Sequence, residues 1–411
     1  MQAVGIIAEY NPFHNGHLLQ LEEAKRRSCC RFAVVVMSGS FVQRGEPAIF
    51  DKWTRAEMAV RAGADLVLEL PTAFAVRSAP HFAAGGVRLL KALSIVSHLS
   101  FGAETADLNL LHKAAATEAG GILREKLKQG KSFSAALGTA LTEAGQLPAG
   151  LAETPNNILA IEYLRALKRF APHILPVPVP RQGQAYNDAA INSRLASATA
   201  IRKAILETGM ITALTASALP IFSIALAKRA ISESRGPVSF AAFSQAILAA
   251  LRTHRQNELA EIPDVSEGLH YRLARAAIEA ADIEDLLART KTKRYTRTRL
   301  QRILIHALLN TDKAMLAAFD AAGPLYARIL AFNRAGCRIL AAIAQHSAIP
   351  LINKPSRFGS SARRTADRLP LSQQMFSLDC IATDVHALGM PEKIYRRGGL
   401  DYVTSPLFID I

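Results

Sequence analysis

The chain has 411 residues, half of them hydrophobic, with 49 Lys and Arg against 34 Asp and Glu, a formal net charge of +15. That is the composition of a folded protein with room for two or three domains and a substantial core. The charge points to a polyanionic partner, RNA or DNA ahead of a membrane surface, although a basic enzyme from a lineage of basic proteins carries such a charge too. The four cysteines, Cys29, Cys30, Cys337 and Cys380, have no CxxC spacing. They read as free thiols in a reducing cytoplasm, with no structural zinc. No Lys or Arg precedes Lys25, so no basic segment leads a secretory signal, and a cytoplasmic location is expected.

In chain order, the β-branched run at 4–7 predicts a buried strand. Asn11, Pro12, Asn15 and Gly16 predict a loop. The run "HLLQLEEAKRRS" predicts a helix from His17, with Leu18, Leu21 and Ala24 about one turn apart. Residues 32–37 predict a second strand, 51–64 a helix, 65–71 a third strand, 81–93 a helix and 97–104 a fourth strand. This alternation implies a parallel sheet with right-handed crossovers. Residues 105–150 look helical, 156–170 form an amphipathic helix, 174–183 an extended, proline-bearing strand, and 197–209 a helix that opens on Ser and Thr. Beyond about 210 helical periodicity dominates, as at 269–290 and 296–309. A short extended piece at 348–353 precedes a basic, Ser-rich loop at 354–368. The uncharged window 209–227 is about long enough to span a bilayer. Its Thr, Ser, Gly and Pro residues make it a buried helix, turn and helix instead, so no membrane partner is expected.

The first chemistry lies in "VGIIAEYNPFHNGHLLQ", where His14 and His17 stand three apart around Gly16 between strand and helix. A helix N-terminus offers unpaired N–H groups and a positive dipole end, both suited to phosphate. Two imidazoles there can donate to phosphate oxygens, and Gly16 lets a ligand approach the backbone. A single such His reads better as an ordinary loop residue; the pair, in this setting, reads as a site. A second motif, "SATAIR", opens the helix at 197–209.

The two motifs together resemble the HIGH nucleotidyltransferase superfamily, whose second motif is roughly ISSTxIR; Ala198 replaces the usual Ser. The blocks "EYNPFHNGH", "SGSFVQRGEPAIFDKWTRAEMAVRAGADLVLELP", "FGAE", "PNNILAIEY" and "RYTRTRLQRILIHALLN" extend the resemblance to the tRNA(Met) cytidine acetate ligase family, from residue 1 to at least 310. The resemblance implies an α/β, Rossmann-like HIGH-type nucleotidyltransferase domain at 1–208, followed by a mainly α-helical, basic, tRNA-binding domain at 209–411. It implies activation of acetate by ATP, with Mg2+, and acetylation at N4 of the wobble cytidine of elongator tRNA(Met), with AMP and pyrophosphate as products.

By the same resemblance His14 and His17 are catalytic. ATP is expected to contact Ile7, Ala8, Glu9, Tyr10, Asn11, Pro12, Phe13, His14, Asn15, Gly16, His17, Leu18, Leu19 and Gln20, with Gly102, Asn157, Arg181, Ser197, Thr199 and Arg202. Taken singly, Gly102 also reads as a turn glycine, Asn157 as a helix cap and Arg181 as a surface charge. No Asp/Glu/His cluster reads as a dedicated metal cage. The cationic run of Lys291, Lys293, Arg294, Arg297, Arg299 and Arg302 is expected to track an RNA backbone, with Tyr295 free to stack on a base; a solvated helix face is the plainer reading. Arg363, Arg364, Arg396 and Arg397 are weaker candidates for the same surface. Whether Arg44, Asp51, Lys52 and Trp53 hold acetate or brace the fold stays open. Two other functions share parts of this pattern: a small-molecule adenylyltransferase, which does not need some two hundred further basic, helical residues, and a non-catalytic RNA-binding protein, which does not need both histidines and Arg202.

Overall fold

The computed structural model describes residues 1–131, 133–148, 150–181, 191, 194–366 and 368–411. Its centre is an eight-stranded sheet: β1 (Ala3–Ala8), β2 (Phe32–Ser38), β3 (Leu66–Leu70), β4 (Val96–Ala103), β5 (Leu175–Pro180), β6 (Ala327–Phe332), β7 (Leu351–Ile352) and β8 (Leu407–Phe408). The order is β5-β4-β1-β2-β3-β6-β7, with β8 also on β6. All pairings are parallel except β3 with β6. The chain builds outward from β1 to β2 and β3, then returns to place β4 on the other side of β1. The strand order thus reverses at β1, and its C-terminal end opens into the crevice where doubly wound sheets take ligands.

The sheet is covered on both faces, which is why its strands read as continuous apolar runs. Val34, Val36, Leu66 and Leu68 face the helices Ala79–Ala92 and Pro155–Phe170. Val4, Ile6, Val35, Met37 and Val67 face α1 (Asn15–Ser28), with Leu21 and Ala24, and α2 (Lys52–Arg61), with Ala56 and Ala59. The Ala79–Ala92 helix keeps two glycines because it lies close to its neighbours. A Cβ on Gly86 would sit 2.5 Å from Ile7 Cδ1, and one on Gly85 2.4 Å from Phe74 Cβ.

A third core belongs to the helices Ser244–Thr253, Leu269–Glu279, Ile283–Thr290 and Arg297–Leu308, which enclose Ile247, Leu273, Leu286, Leu300 and Leu304. This bundle touches the sheet region through the loop after β2. Gly45 has φ +76, and a Cβ there would lie 2.3 Å from the Arg302 backbone nitrogen.

The structure departs from the sequence reading in two places. Residues 209–411 are mainly helical, yet they return β6, β7 and β8 to the sheet, so strands from both sides of position 208 share one hydrogen-bonded surface. The uncharged window does form helix, turn and helix, at Ala213–Ser217 and Ile221–Ser232. It is only partly buried, with Met210 and Leu214 each 57% and Ile221 80% exposed. Among the described residues no helix is long and apolar enough to cross a membrane. Gln182 and Gly183, at the end of the expected strand 174–183, lie outside the described residues.

β6 is held to β3 by charge as well as by backbone bonds. Lys52 Nζ lies 2.8 Å from Glu69 Oε1 and 2.8 Å from Asp401 Oδ1. Arg328 lies 3.0 Å from Glu69 Oε2 and 2.6 Å from Asp401 Oδ1. These four side chains are essentially fully buried, and two positive charges cancel two negative ones. Lys52 is therefore placed as a brace. Asp51 caps α2, accepting from the Thr54 amide at 2.8 Å, and pairs with Arg235 at 2.9 Å.

Candidate active site

The site is built where β1 ends and α1 begins. His14 is the N-cap of α1. Its Nδ1 accepts from the Gly16 amide at 3.0 Å, and its own amide donates to His17 Nδ1 at 3.3 Å. The two rings stack with centroids 3.7 Å apart. Burial, then the nearby Arg181 and Arg202 guanidinium groups, pull His14 down to a pKa of about 3. Burial, then His14 and Arg181, hold His17 well below the usual histidine value. Both rings are therefore neutral at physiological pH. With each Nδ1 accepting a backbone hydrogen bond, the proton must sit on Nε2. The pair presents two neutral Nε2–H donors.

This arrangement changes one expectation. The first amides of α1 do not stand free for phosphate: Asn15 donates to Ala218 O at 3.0 Å, Gly16 to His14 Nδ1, and His17 to His14 O at 2.9 Å. The donors on offer are the imidazole side chains. Among the described residues, two buried polar atoms nearby lack a partner, Tyr10 Oη and Asn11 Nδ2. Such orphans in a wall that can bind a ligand call for an explanation.

A cavity of about 860 Å³ opens over the pair. Of the residues expected around ATP, Ile7, Ala8, Glu9, Tyr10, Asn11, His14, Gly16, His17, Leu19, Gln20, Gly102, Arg181 and Arg202 line it. Arg202 reaches back to bind the loop itself, donating to Asn11 O at 2.9 Å and pairing with Glu46 at 2.9 Å. Seven others stand elsewhere. Pro12 follows Asn11 through a cis peptide bond and is outside the cavity wall. Phe13 is buried against Tyr10 and Phe222. Asn15 donates to Arg194 O and Ser217 O, and with Leu18 it faces a different depression. Asn157 accepts from the Thr105 amide at 3.0 Å, tying its helix to the end of β4, while its neighbour Asn156 lines the cavity. Ser197 caps the helix Ala198–Thr208, accepting from the Ala200 amide at 3.1 Å, and Thr199 is exposed on that helix's first turn.

The cationic run is divided. Arg294, Arg299 and Arg302 line the same cavity as the histidines, whereas Lys291, Lys293 and Arg297 do not. Its arginines are also partnered. Arg294 pairs with Glu267 at 2.6 Å, Arg297 with Glu284 at 2.6 Å and Arg302 with Asp264 at 2.7 Å. Arg299 donates to Asp264 O at 2.8 Å. Sequence reading left Arg44 between holding acetate and bracing the fold and named neither Asp264 nor Glu267; all three line the cavity. The only local hint was Arg44's place in the block that follows β2.

The fold and the neutral histidine pair define a class, and comparison agrees with it. The family model described as HIGH nucleotidyl transferase matches residues 1–400, and the chain belongs to that family. A tRNA(Met) cytidine acetate ligase of Caldanaerobacter subterraneus is 41% identical to it, over 94% of this chain and 95% of the relative. One of Syntrophomonas wolfei is 40% identical over 99% of each. The crystal structure of Thermotoga maritima TmcAL in its apo form covers all of both chains with a TM-score of 0.92 at 32% identity, and the form bound with alpha-thio ATP gives 0.90. Within the HIGH nucleotidyl transferases, the chain is a member of the tRNA(Met) cytidine acetate ligase family.

Proposed function

We propose that this enzyme joins acetate to tRNA(Met) in two steps at one cavity: ATP converts acetate to acetyl-adenylate, and the N4 amine of the wobble cytidine then takes the acetyl group. The observation that carries this reading is the stacked, neutral His14–His17 pair at the mouth of α1. Acetate cannot acylate an amine directly, because its oxygen leaves poorly. Attack of an acetate oxygen on the α-phosphorus forms an O–P bond and expels pyrophosphate. Negative charge on the phosphate oxygens is met by the two Nε2–H donors, fixed before the reaction begins by the backbone bonds to each Nδ1. Arg202 and Arg181 add positive potential along the same wall. The neutrality of the histidines matters, since a neutral donor next to two arginines avoids the repulsion that an imidazolium would feel.

Mg2+ enters this reading as the ion that neutralises the β- and γ-phosphates. Among the described residues no group of three His, Cys, Asp or Glu converges to cage it. The wall is rich in Arg and His, which fits a nucleotide that supplies most of the metal's ligands. The helical region beyond 209 supplies the tRNA contacts. Arg294, Arg299 and Arg302 then face the reacting end of the RNA, and Lys291, Lys293 and Arg297 face its flanking phosphates. A cytoplasmic location follows from the tRNA substrate.

The test supplies carbon-labelled acetate with ATP in one reaction and labelled acetyl-coenzyme A without ATP in another. Label is expected to enter tRNA only in the first, with one AMP formed per acetyl group. Propionate is expected to be used more slowly, since one methylene in a tight pocket is worth about 1–3 kcal/mol. Label entering only from acetyl-coenzyme A would overturn the reading.

A further inference from the structure

We propose that Glu9 accepts the proton that the cytidine amine loses as the acetyl group is transferred, an inference that rests on the acetyl-adenylate reading. The exocyclic amine of cytidine is a poor nucleophile that becomes strongly acidic once it bonds to the acyl carbon, so a base at that point speeds the step. The histidines cannot serve. Each has Nδ1 engaged by a backbone amide and Nε2 already protonated.

Among the described residues five carboxylates line the cavity: Glu9, Glu153, Glu162, Asp264 and Glu267. Three are committed to arginines, Glu162 to Arg165 at 2.7 Å, Asp264 to Arg302 and Glu267 to Arg294. Glu153 is exposed. Glu9 alone stands at the C-terminal end of β1, five residues before His14. Its Oε1 is anchored by the Gln43 amide at 2.8 Å. Among the described residues Oε2 takes no hydrogen bond, and Glu9 forms no ion pair within 4 Å.

The charges around Glu9 come from every element packed on it. Arg44 and Glu46 lie on the loop after β2, Arg202 on the helix Ala198–Thr208, Arg55 on α2 and Tyr163 on the helix Pro155–Phe170. Burial raises its pKa above the ordinary glutamate value, against the Gln43 hydrogen bond and the two arginines Arg202 and Arg44, with Glu46 adding to the rise. A raised value makes Glu9 a stronger base than an ordinary glutamate.

The step balances as follows. The cytidine N4 lone pair forms a C–N bond to the acetyl carbon. The carbon–oxygen bond to the phosphate breaks, and its electron pair leaves with AMP. One N4 proton passes to Glu9 Oε2, giving neutral Glu9, acetylated cytidine and AMP; solvent then removes the proton.

The experiment supplies synthetic acetyl-adenylate with tRNA to the full-length enzyme and measures single-turnover transfer between pH 5 and 8.5. The wild-type rate is expected to rise with pH through an apparent pKa above that of free glutamate. Glu9→Gln, which keeps an oxygen for the Gln43 amide, is expected to transfer at least about 100-fold more slowly and to lose that limb. A variant within threefold of wild type would overturn the assignment, as would a slower variant that keeps the same limb. A flat wild-type profile overturns it without any variant. If wild-type enzyme cannot use supplied acetyl-adenylate at all, the acetyl-adenylate reading itself fails, and this inference with it.

Discussion

Replacing His17 with Ala removes three things at once, and their sizes differ. On the proposed mechanism, the ring's Nε2–H is one of two donors to the phosphate that is attacked. Losing one preorganised donor of this kind costs about 10²–10³ in kcat, or about 2.7–4 kcal/mol. The ring's Nδ1 also accepts the His14 amide at 3.3 Å, half of the capping box at the start of α1; loss of such a cap costs about 1 kcal/mol. The stacking on His14 at 3.7 Å adds about 0.5–1.5 kcal/mol. The stability loss therefore sums to about 2 kcal/mol, small enough for α1 to stay docked through Leu21 and Ala24. Activity is expected to fall by two orders of magnitude or more while the protein remains folded. The assay is acetate-dependent pyrophosphate release from ATP, with circular dichroism as the fold control. His17→Asn separates the effects, because its Oδ1 can still accept the His14 amide: it is expected to recover most of the stability while remaining slow. A folded His17→Ala protein that turns over within about threefold of wild type would refute the role of the donor pair.

Lys293→Ala, at an exposed cation outside the cavity, is expected to weaken tRNA binding and reduce the slope of log affinity against log salt by about 1. Arg297→Ala is expected to change that slope less, because Glu284 already neutralises it; equal effects in a filter-binding salt series would contradict this. Lys52→Met leaves Glu69 and Asp401 with Arg328 alone in a fully buried site, and is expected to cost about 3–5 kcal/mol in denaturant unfolding; a loss below about 1 kcal/mol would show that the network is not a brace. His386, buried and donating to Ala48 O at 2.7 Å, is pulled down to a pKa of about 4 mainly by burial. The unfolded chain binds that proton below about pH 6.5 and the folded chain does not, so this residue costs stability as pH falls from 6.5 towards 4. The stability gap between wild type and His386→Phe is therefore expected to shift by about 2 kcal/mol in the variant's favour between pH 7.5 and pH 5; an unchanged gap would refute it.

The strand, HNGH loop and helix at the start of the chain were legible because each signal is local. A β-branched run, four loop-forming residues and a 3.6-residue apolar spacing need no distant partner to be read. The same holds for the alternating elements to residue 104 and for the helix at 156–170, whose periodicities record which face is buried. What needed the tertiary structure is everything decided by partners far apart in the chain. The run at 327–332 sits within a stretch of helical periodicity, and it becomes β6 because β3 offers it an antiparallel edge. Lys52 could not be told from a ligand-binding lysine until Asp401 and Glu69 closed on it from opposite ends of the chain. Ser197, Thr199 and Asn157 carry the right motif positions, but caps and the end of β4 take the side chains of Ser197 and Asn157, and Thr199 faces outward. Conversely, nothing in the spacing of Arg294, Arg299 and Arg302 could say that they share a wall with residues 14 and 17. Sequence periodicity encodes burial within an element, whereas the meeting of elements is set by packing and charge compensation across the whole fold.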